Sequence, residues 1–474
     1  MRNAYRVADV RAAEEALMAT LPAGALMQRA AAGLARRCAV VLTDRYGGVY
    51  GRRVLLIVGA GNNGGDALHA GARLARRGVD VTAVATAPDR IHAEGLAALR
   101  DAGGRLVDRA RPADLVVDGI LGIGGRGGLR DNAAAIVRDA VERDNRPTVV
   151  AVDLPSGVDA DTGAVTGAAV RADITVTFGV LKPGLLVGAG AVHSGLVDLV
   201  DIGLALYTED SAPALGVPDL DDIRDWWPRP HAGDDKYTRG VAGVATGSAT
   251  YPGAALLSTA GALAGPTGMV RYAGAAAEAV RSRYPSVIPT DRVADAGRVQ
   301  GWTCGCGLGT DDRARAELDA VLAAPVPVCV DADGLTLFAE RPSKRDHPLV
   351  LTPHDREFAR LNGGAEPGDD RVGAARALAA KLDATVLLKG DRTIVAGPDG
   401  RVYVNPTGTP ALATAGTGDV LAGLLGSLLG GGLAPDRAAV AAAYVHGLAG
   451  RAAAAHGPVT SADVAEAMRG VVPR

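Results

Sequence analysis

Cysteine is scarce in this chain, with four in 474 residues, at positions 38, 304, 306 and 329. They are too few and too unevenly spaced for a disulfide framework. Cys304 and Cys306 form a Cys-x-Cys, but no second pair or histidine cluster completes a zinc site, so both are expected to be ordinary strand-end residues. Aromatic residues make up 3% against 48% hydrophobic, so the cores must be built from Ala, Val and Leu. Lysine occurs five times against 45 arginines, and the formal net charge of −3 gives no reason to expect nucleic acid or an anionic membrane as partner. No uninterrupted apolar run reaches the ~18 residues a membrane span needs. The opening stretch MRNAYRVADVRAAEE is charged and lacks the apolar core of a signal peptide. A cytoplasmic location is expected.

Glycine is abundant, at 64 residues without a low-complexity tract, which reads as many tight turns and close helix–sheet contacts. The length exceeds one ordinary core, so two large domains or three small ones are expected.

Residues 10–45 have helical spacing of Ala, Leu and Met. Arg53–Val58 (RVLLIV) then reads as a buried strand running into Gly59-Ala60-Gly61-Asn62-Asn63-Gly64-Gly65-Asp66, a helix to Arg77 and a second strand from Val79 to Ala85. This is a βαβ unit, which puts the loop at the carboxyl edge of a parallel sheet. Two more strands, Leu115–Leu121 and Thr148–Val152, end in Gly122–Gly128 and in Asp153-Leu154-Pro155-Ser156-Gly157. Further strands are expected over Asp173–Val180 and Leu196–Ile202, with Lys182-Pro183-Gly184 between them.

The rhythm is lost from about Leu204 to Asp235, where four prolines and Trp226-Trp227 suggest a linker packed on a surface. A second α/β series follows. Its expected strands Val241–Thr246, Trp302–Cys304, Val328–Val330, Leu349–Leu351 and Val386–Leu388 run into loops of different chemistry, and a hairpin turns over Pro398-Asp399-Gly400. The domains are expected at 1–210 and 236–474, with 211–235 the linker.

In the second series Gly416-Thr417-Gly418 precedes Asp419 and an apolar helical run. A helix N-terminus offers free N–H groups to an anion, and a carboxylate there is placed to take a proton from a hydroxyl. Lys389-Gly390-Asp391-Arg392-Thr393 is patterned as a phosphate grip, with the lysine as point charge. His354 follows Thr-Pro at a strand end, and Asp331 and Asp333 are candidates to orient magnesium or a substrate, or simply to cap. In the first series Asp153 is the best acid–base candidate and Lys182 a weaker one. Asn63, Asp118 and Ser156 offer hard oxygen ligands for a monovalent or divalent cation.

Assembled, these motifs resemble the bifunctional NAD(P)H-hydrate repair enzymes over almost the whole length. GAGNNGGD, VDGILGIGGRGG and VDLPSG resemble the epimerase domain, a Rossmann-like three-layer αβα fold. GSATYPGAA, GCGLG, LTPHDREFARL, LLKGDRT and NPTGTPALATAGTGDVLAGLL resemble the ribokinase-like dehydratase domain.

The resemblance implies that Asn62, Asn63, Gly64, Gly65 and Asp66, the loop Gly122, Ile123, Gly124, Gly125, Arg126, Gly127 and Gly128, and Asp153 hold the hydrated cofactor. Asn63, Asp118 and Ser156 would hold potassium. Ala254, Gly307, His354 and Asp419 would contact the hydrate in the second domain. Lys389, Gly390, Asp391, Arg392, Thr393 and Gly418 would bind the nucleotide, with ADP as phosphoryl donor and magnesium beside it. NADHX and NADPHX are the implied substrates, and a homo-oligomer is expected. Three departures from the family pattern stand out: Ala67 where glycine is usual, Cys306 where proline is usual, and Pro266-Thr267-Gly268 at a strand start. Two rival functions stay open, a kinase of a small alcohol with a regulatory first domain, and a nucleotide-sensing module without catalysis.

Overall fold

The computed structural model describes residues 1–142, 145–204, 207–208 and 211–472. The chain clusters into two compact units, one of Asn3–Leu215 and one of Gly216–Arg474 with Met1–Arg2. The expected domain boundary at residue 210 lies outside the described residues.

In the first unit a seven-stranded sheet runs Arg105–Leu106, Asp80–Ala85, Arg53–Val58, Leu115–Gly119, Thr148–Val152, Ile174–Phe178, Leu196–Val200 from edge to edge. All neighbours are parallel. Strand Arg53–Val58 is buried on both faces, as a continuous apolar run in a parallel sheet must be. Its side chains alternate between two cores: Val54, Leu56 and Val58 pack into one cluster with helices Val7–Met18, Ala25–Tyr46 and Asn62–Ala75. Leu55 and Ile57 pack into another with helix Asp131–Val141. Helices therefore cover both faces in three layers. The expected strand Leu115–Leu121 ends earlier, at Gly119, because the Asp118 carboxylate accepts the Ile120 N–H (3.2 Å) and turns the chain.

Nine strands of the second unit's sheet run Val402–Val404, Ile394–Ala396, Thr385–Leu388, Leu349–Leu351, Val328–Val330, Gly301–Cys304, Val241–Ala245, Met269–Ala273, Ile288–Thr290. Pairing is parallel from Thr385–Leu388 onward and antiparallel across the hairpin. Ile288–Thr290 carries no apolar alternation and goes unread in the sequence because it is a short, half-exposed end strand. Helix Thr417–Gly430 is buried almost all round and packs on helix Pro252–Ala264. Glycine permits that approach: a Cβ at Gly423 would strike the Ser258 carbonyl, and one at Gly261 the Val420 carbonyl. Within the stretch expected to link the domains, Leu215–Val217 is a strand and Leu220–Trp226 a helix. Ile223 and Trp227 are buried in the second unit's core. Among the described residues no helix is long and apolar enough to cross a membrane.

Candidate active sites

The first unit carries a cavity of about 1120 Å³ at the carboxyl ends of its strands. Asn62, Asn63 and Asp66, on the first turns of helix Asn62–Ala75, line it together with Gly122–Arg126, Gly128 and Asp153. Gly64, Gly65 and Gly127 do not line it. Gly64 and Gly127 serve the backbone, since a Cβ at Gly64 would come 2.5 Å from the Gly59 carbonyl oxygen and Gly127 has a left-handed φ of 70°, while a Cβ at Gly65 would come 3.0 Å from the His92 and Met27 side chains. The Ala67 methyl faces Gly119, where a Cβ would stand 2.6 Å from it, so the departure from glycine lies under the loop and leaves the cavity untouched.

Asp153 follows the last residue of strand Thr148–Val152 with a φ of 64°, a conformation that costs a non-glycine residue of order 1–2 kcal/mol. Its carboxylate is pinned from one side. Lys182 Nζ donates to Oδ1 at 2.7 Å and Thr177 Oγ1 donates to the same oxygen at 3.0 Å. Lys182, 1% exposed, also donates to Thr177 Oγ1 and to the Phe178 carbonyl. The weaker sequence candidate is thus the buried counter-ion of the stronger one. Two further carboxyls face this pair. Burial, then the Asp153 and Glu14 charges, push Asp66 well up. Burial also raises Glu14, with the Lys182 charge acting against it and the Asp153 charge with it.

Asp118 and Ser156 meet below the loops. Ser156 Oγ donates to Asp118 Oδ1 at 2.7 Å and Ser156 N to Oδ2 at 2.8 Å. Burial pushes Asp118 up to about 6, with the Ser156 and Ile120 hydrogen bonds acting against it. A Cβ at Gly122 would come 3.0 Å from Asn63 Oδ1, and Asn63 Nδ2 is buried without a partner. Among the described residues no cation stands beside the Asp118 carboxyl, and its oxygens, the Ser156 hydroxyl and Asn63 Oδ1 are oxygen donors that suit a potassium ion.

In the second unit the strand-end loops also converge. Gly416, with a φ of 85°, caps helix Thr417–Gly430, and a Cβ on Gly418 would stand 3.7 Å from Asp331 Oδ2 and 3.8 Å from Lys389 Nζ. Burial and the Asp331 charge raise Asp419 to about 6, while a hydrogen bond from the Cys306 thiol and the Lys389 charge pull it back. The same thiol lies 3.6 Å from Asp331 Oδ2, within reach of both carboxyls. Below the turn His446 is buried and drawn down to about 4 by that burial, hence neutral.

Lys389 is not the free cation a phosphate grip suggests. Its Nζ donates to Asp331 Oδ1 at 2.6 Å and lies 3.5 Å from Glu357 Oε2. Burial works against its charge, but these two carboxylates outweigh it and raise the ammonium. Thr393 Oγ1 donates to the Gly390 carbonyl, and Arg392 Nη1 to that of Pro406, so both shape the loop. Asp391 forms an exposed pair with Arg392 at 3.7 Å. His354 Nδ1 caps helix Asp355–Leu361 by accepting from Arg356 N and Glu357 N at 3.1 and 3.3 Å, which leaves Nε2 near Glu357 Oε1 at 3.5 Å. Ala254 and Gly307 are brought together, since a Cβ on Gly307 would stand 2.6 Å from that of Ala254. Asp333 Oδ2 accepts the Gly309 N–H at 2.9 Å. Lys389 holds Asp331 through Oδ1, so each of the two aspartates named for magnesium is engaged through one of its carboxylate oxygens.

A family model described as NAD(P)H-hydrate dehydratase matches residues 242–469, and one described as YjeF-related protein N-terminus matches residues 23–184. The bifunctional NAD(P)H-hydrate repair enzyme of Mycobacterium tuberculosis is 53% identical over 447 residues, covering 93% of this chain and 91% of its own length. The chain belongs to the bifunctional NAD(P)H-hydrate repair enzymes. The repair enzyme of Mycobacterium leprae is 52% identical, covering 96% of this chain and 95% of its own. A ribokinase-like superfamily protein from Enterococcus faecalis superposes with a TM-score of 0.51 over 55% of this chain and 95% of its own, at 24% identity, a likeness of fold. Membership favours the repair-enzyme reading over the small-alcohol kinase. Sequence reasoning singled out neither Glu14 nor Glu357 in this repair enzyme, and it named Cys306 only as an ordinary strand-end residue and a departure from the family pattern. For Glu357 a signal existed, because His354-x-x-Glu357 is spaced as a capping box. Glu14 sits on an ordinary amphipathic helix and gives none.

Proposed function

We propose that the first unit interconverts the R and S forms of NADHX and NADPHX. The second, in this reading, dehydrates the S form to NAD(P)H, converting ADP to AMP and phosphate. The domains are assigned to residues 1–210 and 236–474. Asp419 carries the second assignment. It sits at the N-terminus of a long buried helix and is held at about 6, a value suited to a general base at neutral pH. It takes the proton of the C6 hydroxyl while the oxygen attacks the β-phosphoryl group of ADP. The C6–O bond of the phosphate ester then breaks, a proton leaves C5, and the ring double bond returns. The N–H groups at Gly416–Gly418 face the transferring charge. Lys389 contributes positive charge there, tempered by Asp331 and Glu357.

In the first unit Asp153 acts as acid–base at C6, oriented by Lys182 and Thr177. Asn63, Asp118 and Ser156 would hold potassium, which supplies positive charge beside the buried Asp118 carboxylate. Asp331 and Asp333 would orient magnesium beside the nucleotide, and no step is assigned to it.

Isosteric variants test the division of labour. Asp419→Asn should abolish dehydration and keep R-to-S exchange, and Asp153→Asn should do the reverse. Mixing the two variants should restore full recovery of an R/S mixture. Failure of the mixture to complement would overturn the assignment of separate sites.

A further inference from the structure

We propose that Arg90 and Arg130 read a phosphomonoester on the 2′ position of the adenosine ribose, so that the first unit takes the NADPH hydrate in preference to the NADH hydrate. This rests on the reading of that unit as an epimerase of hydrated dinucleotides.

Relative to chain order, its strands lie 3-2-1-4 around the point where the order reverses, between Arg53–Val58 and Leu115–Gly119. In such sheets a dinucleotide crosses the reversal point, and the end of the second strand meets the adenosine ribose. A carboxylate there binds a 2′ hydroxyl, whereas an arginine accommodates a 2′ phosphate. Here strand Asp80–Ala85 runs into Thr86-Ala87-Pro88-Asp89-Arg90. The Thr86 hydroxyl donates to the Val58 carbonyl at 3.3 Å, and its own carbonyl accepts from Asn132 Nδ2 at 3.0 Å. Asp89 is not part of the cavity wall, but Arg90 is. The carboxylate that would suit a ribose diol is missing from the wall, and a guanidinium stands in its neighbourhood.

The Asn132–Thr86 bond also ties the start of helix Asp131–Val141 to this strand end, which brings Arg130 of the same cavity wall beside it. Among the described residues neither arginine has a carboxylate partner. The carboxyls of the cavity, Glu14, Asp66 and Asp153, influence one another around Lys182. Asp153 lies three strand positions away from Asp80–Ala85, about 14 Å at the usual strand spacing. The three carboxyls thus gather at one end around Lys182, with Arg11 beside Glu14, and Arg126 lies on the Gly122–Gly128 loop. Arg90 and Arg130 stand at the other end without a carboxylate partner among the described residues, fit for a dianion. An extended dinucleotide separates its nicotinamide from its adenosine ribose by a comparable length.

The test uses the intact chain. R-to-S exchange of NADHX and of NADPHX is followed chromatographically for the wild type, Arg90→Gln, Arg130→Gln and the double variant, and the ratio of kcat/KM for the two substrates is compared. That ratio is internal to each protein, so partial misfolding cancels. The wild type should favour NADPHX, and each substitution should lower the ratio about ten- to a hundredfold, the size of a lost charge-assisted contact. An unchanged ratio in the double variant overturns the proposal. Calorimetry with 2′-phospho-ADP-ribose against ADP-ribose separates this outcome from failure of the epimerase reading. Were the wild type to exchange neither hydrate, tighter binding of the 2′-phosphorylated probe, lost in the double variant, would still support the arginine assignment. Equal binding of both probes would refute it.

Discussion

Replacing Lys182 by Met removes the ammonium from a buried ion pair and keeps most of its apolar length. The pair is largely buried: the Lys182 side chain is 1% exposed and that of Asp153 12%, at 2.7 Å. Solvent reaches it only where Asp153 lines the cavity, so screening gives a modest discount. Removing one partner of such a pair typically costs about 3–5 kcal/mol, because the other charge stays buried without compensation. For a unit of this size that corresponds to a fall in Tm of roughly 6–20 °C. The damage should be local, and the tryptophans allow this to be seen. All three, at 226, 227 and 302, lie outside the first unit, so tryptophan emission follows the second unit while far-UV circular dichroism follows both. Lys182→Met should move a dichroism transition that the emission does not share. Adding Asp153→Asn removes the stranded charge and leaves an amide that Thr177 can still meet, so the double variant should regain on the order of 1–3 kcal/mol. A loss below about 1 kcal/mol in the single variant, or strict additivity in the double, would refute the buried-pair argument.

Other expectations concern protons and ions. Asp419 and Asp118 are both held near 6 against an ordinary 3.8, so between these values the folded chain binds protons that the unfolded chain has released. Their stabilising contribution is full below about pH 4 and falls as pH rises to about 6, by on the order of 2–3 kcal/mol for each carboxyl. Dehydration should show the opposite trend, its rate rising through about pH 6 as Asp419 ionises. Potassium seated at Asp118 lowers the pKa of that carboxyl, so potassium chloride should flatten the fall in stability relative to tetramethylammonium chloride. Identical curves in the two salts would remove the cation site. Because the Cys306 thiol and the Lys389 charge both hold Asp419 down, Cys306→Ala and Lys389→Met should each move the acidic limb of the dehydration profile upward. Lys389→Met should also weaken ADP about ten- to a hundredfold, as loss of a charge-assisted contact does; a fixed limb with fixed ADP affinity would sink the role given to this lysine.

Strand positions and loop chemistry were legible where apolar runs are continuous and run into turns rich in Gly, Asp, Asn and Ser, as at Arg53–Val58 and Thr148–Val152. They were illegible where a strand is short and half-exposed, as at Ile288–Thr290. Individual site residues could be named from motif position, but what each one touches could not. Lys182 read only as a weaker acid–base candidate and is the counter-ion of Asp153, a pairing that joins residues 29 apart across two loops. Lys389 looked like a free phosphate ligand, yet the carboxylates that occupy it come from the end of strand Val328–Val330, at Asp331, and from the first turn of helix Asp355–Leu361, at Glu357. Contacts of this kind depend on the order of strands in the sheet, and a linear motif carries no record of that order.

The most direct measurement incubates the intact chain with an R/S mixture of hydrated NADH and ADP, and follows absorbance at the reduced-nicotinamide wavelength while AMP and phosphate are quantified. Full recovery of the reduced cofactor, with one AMP and one phosphate for each molecule restored, is the result expected of two complete sites in one chain. Accumulation of a phosphorylated product without recovery of absorbance, or no consumption of ADP, would contradict it.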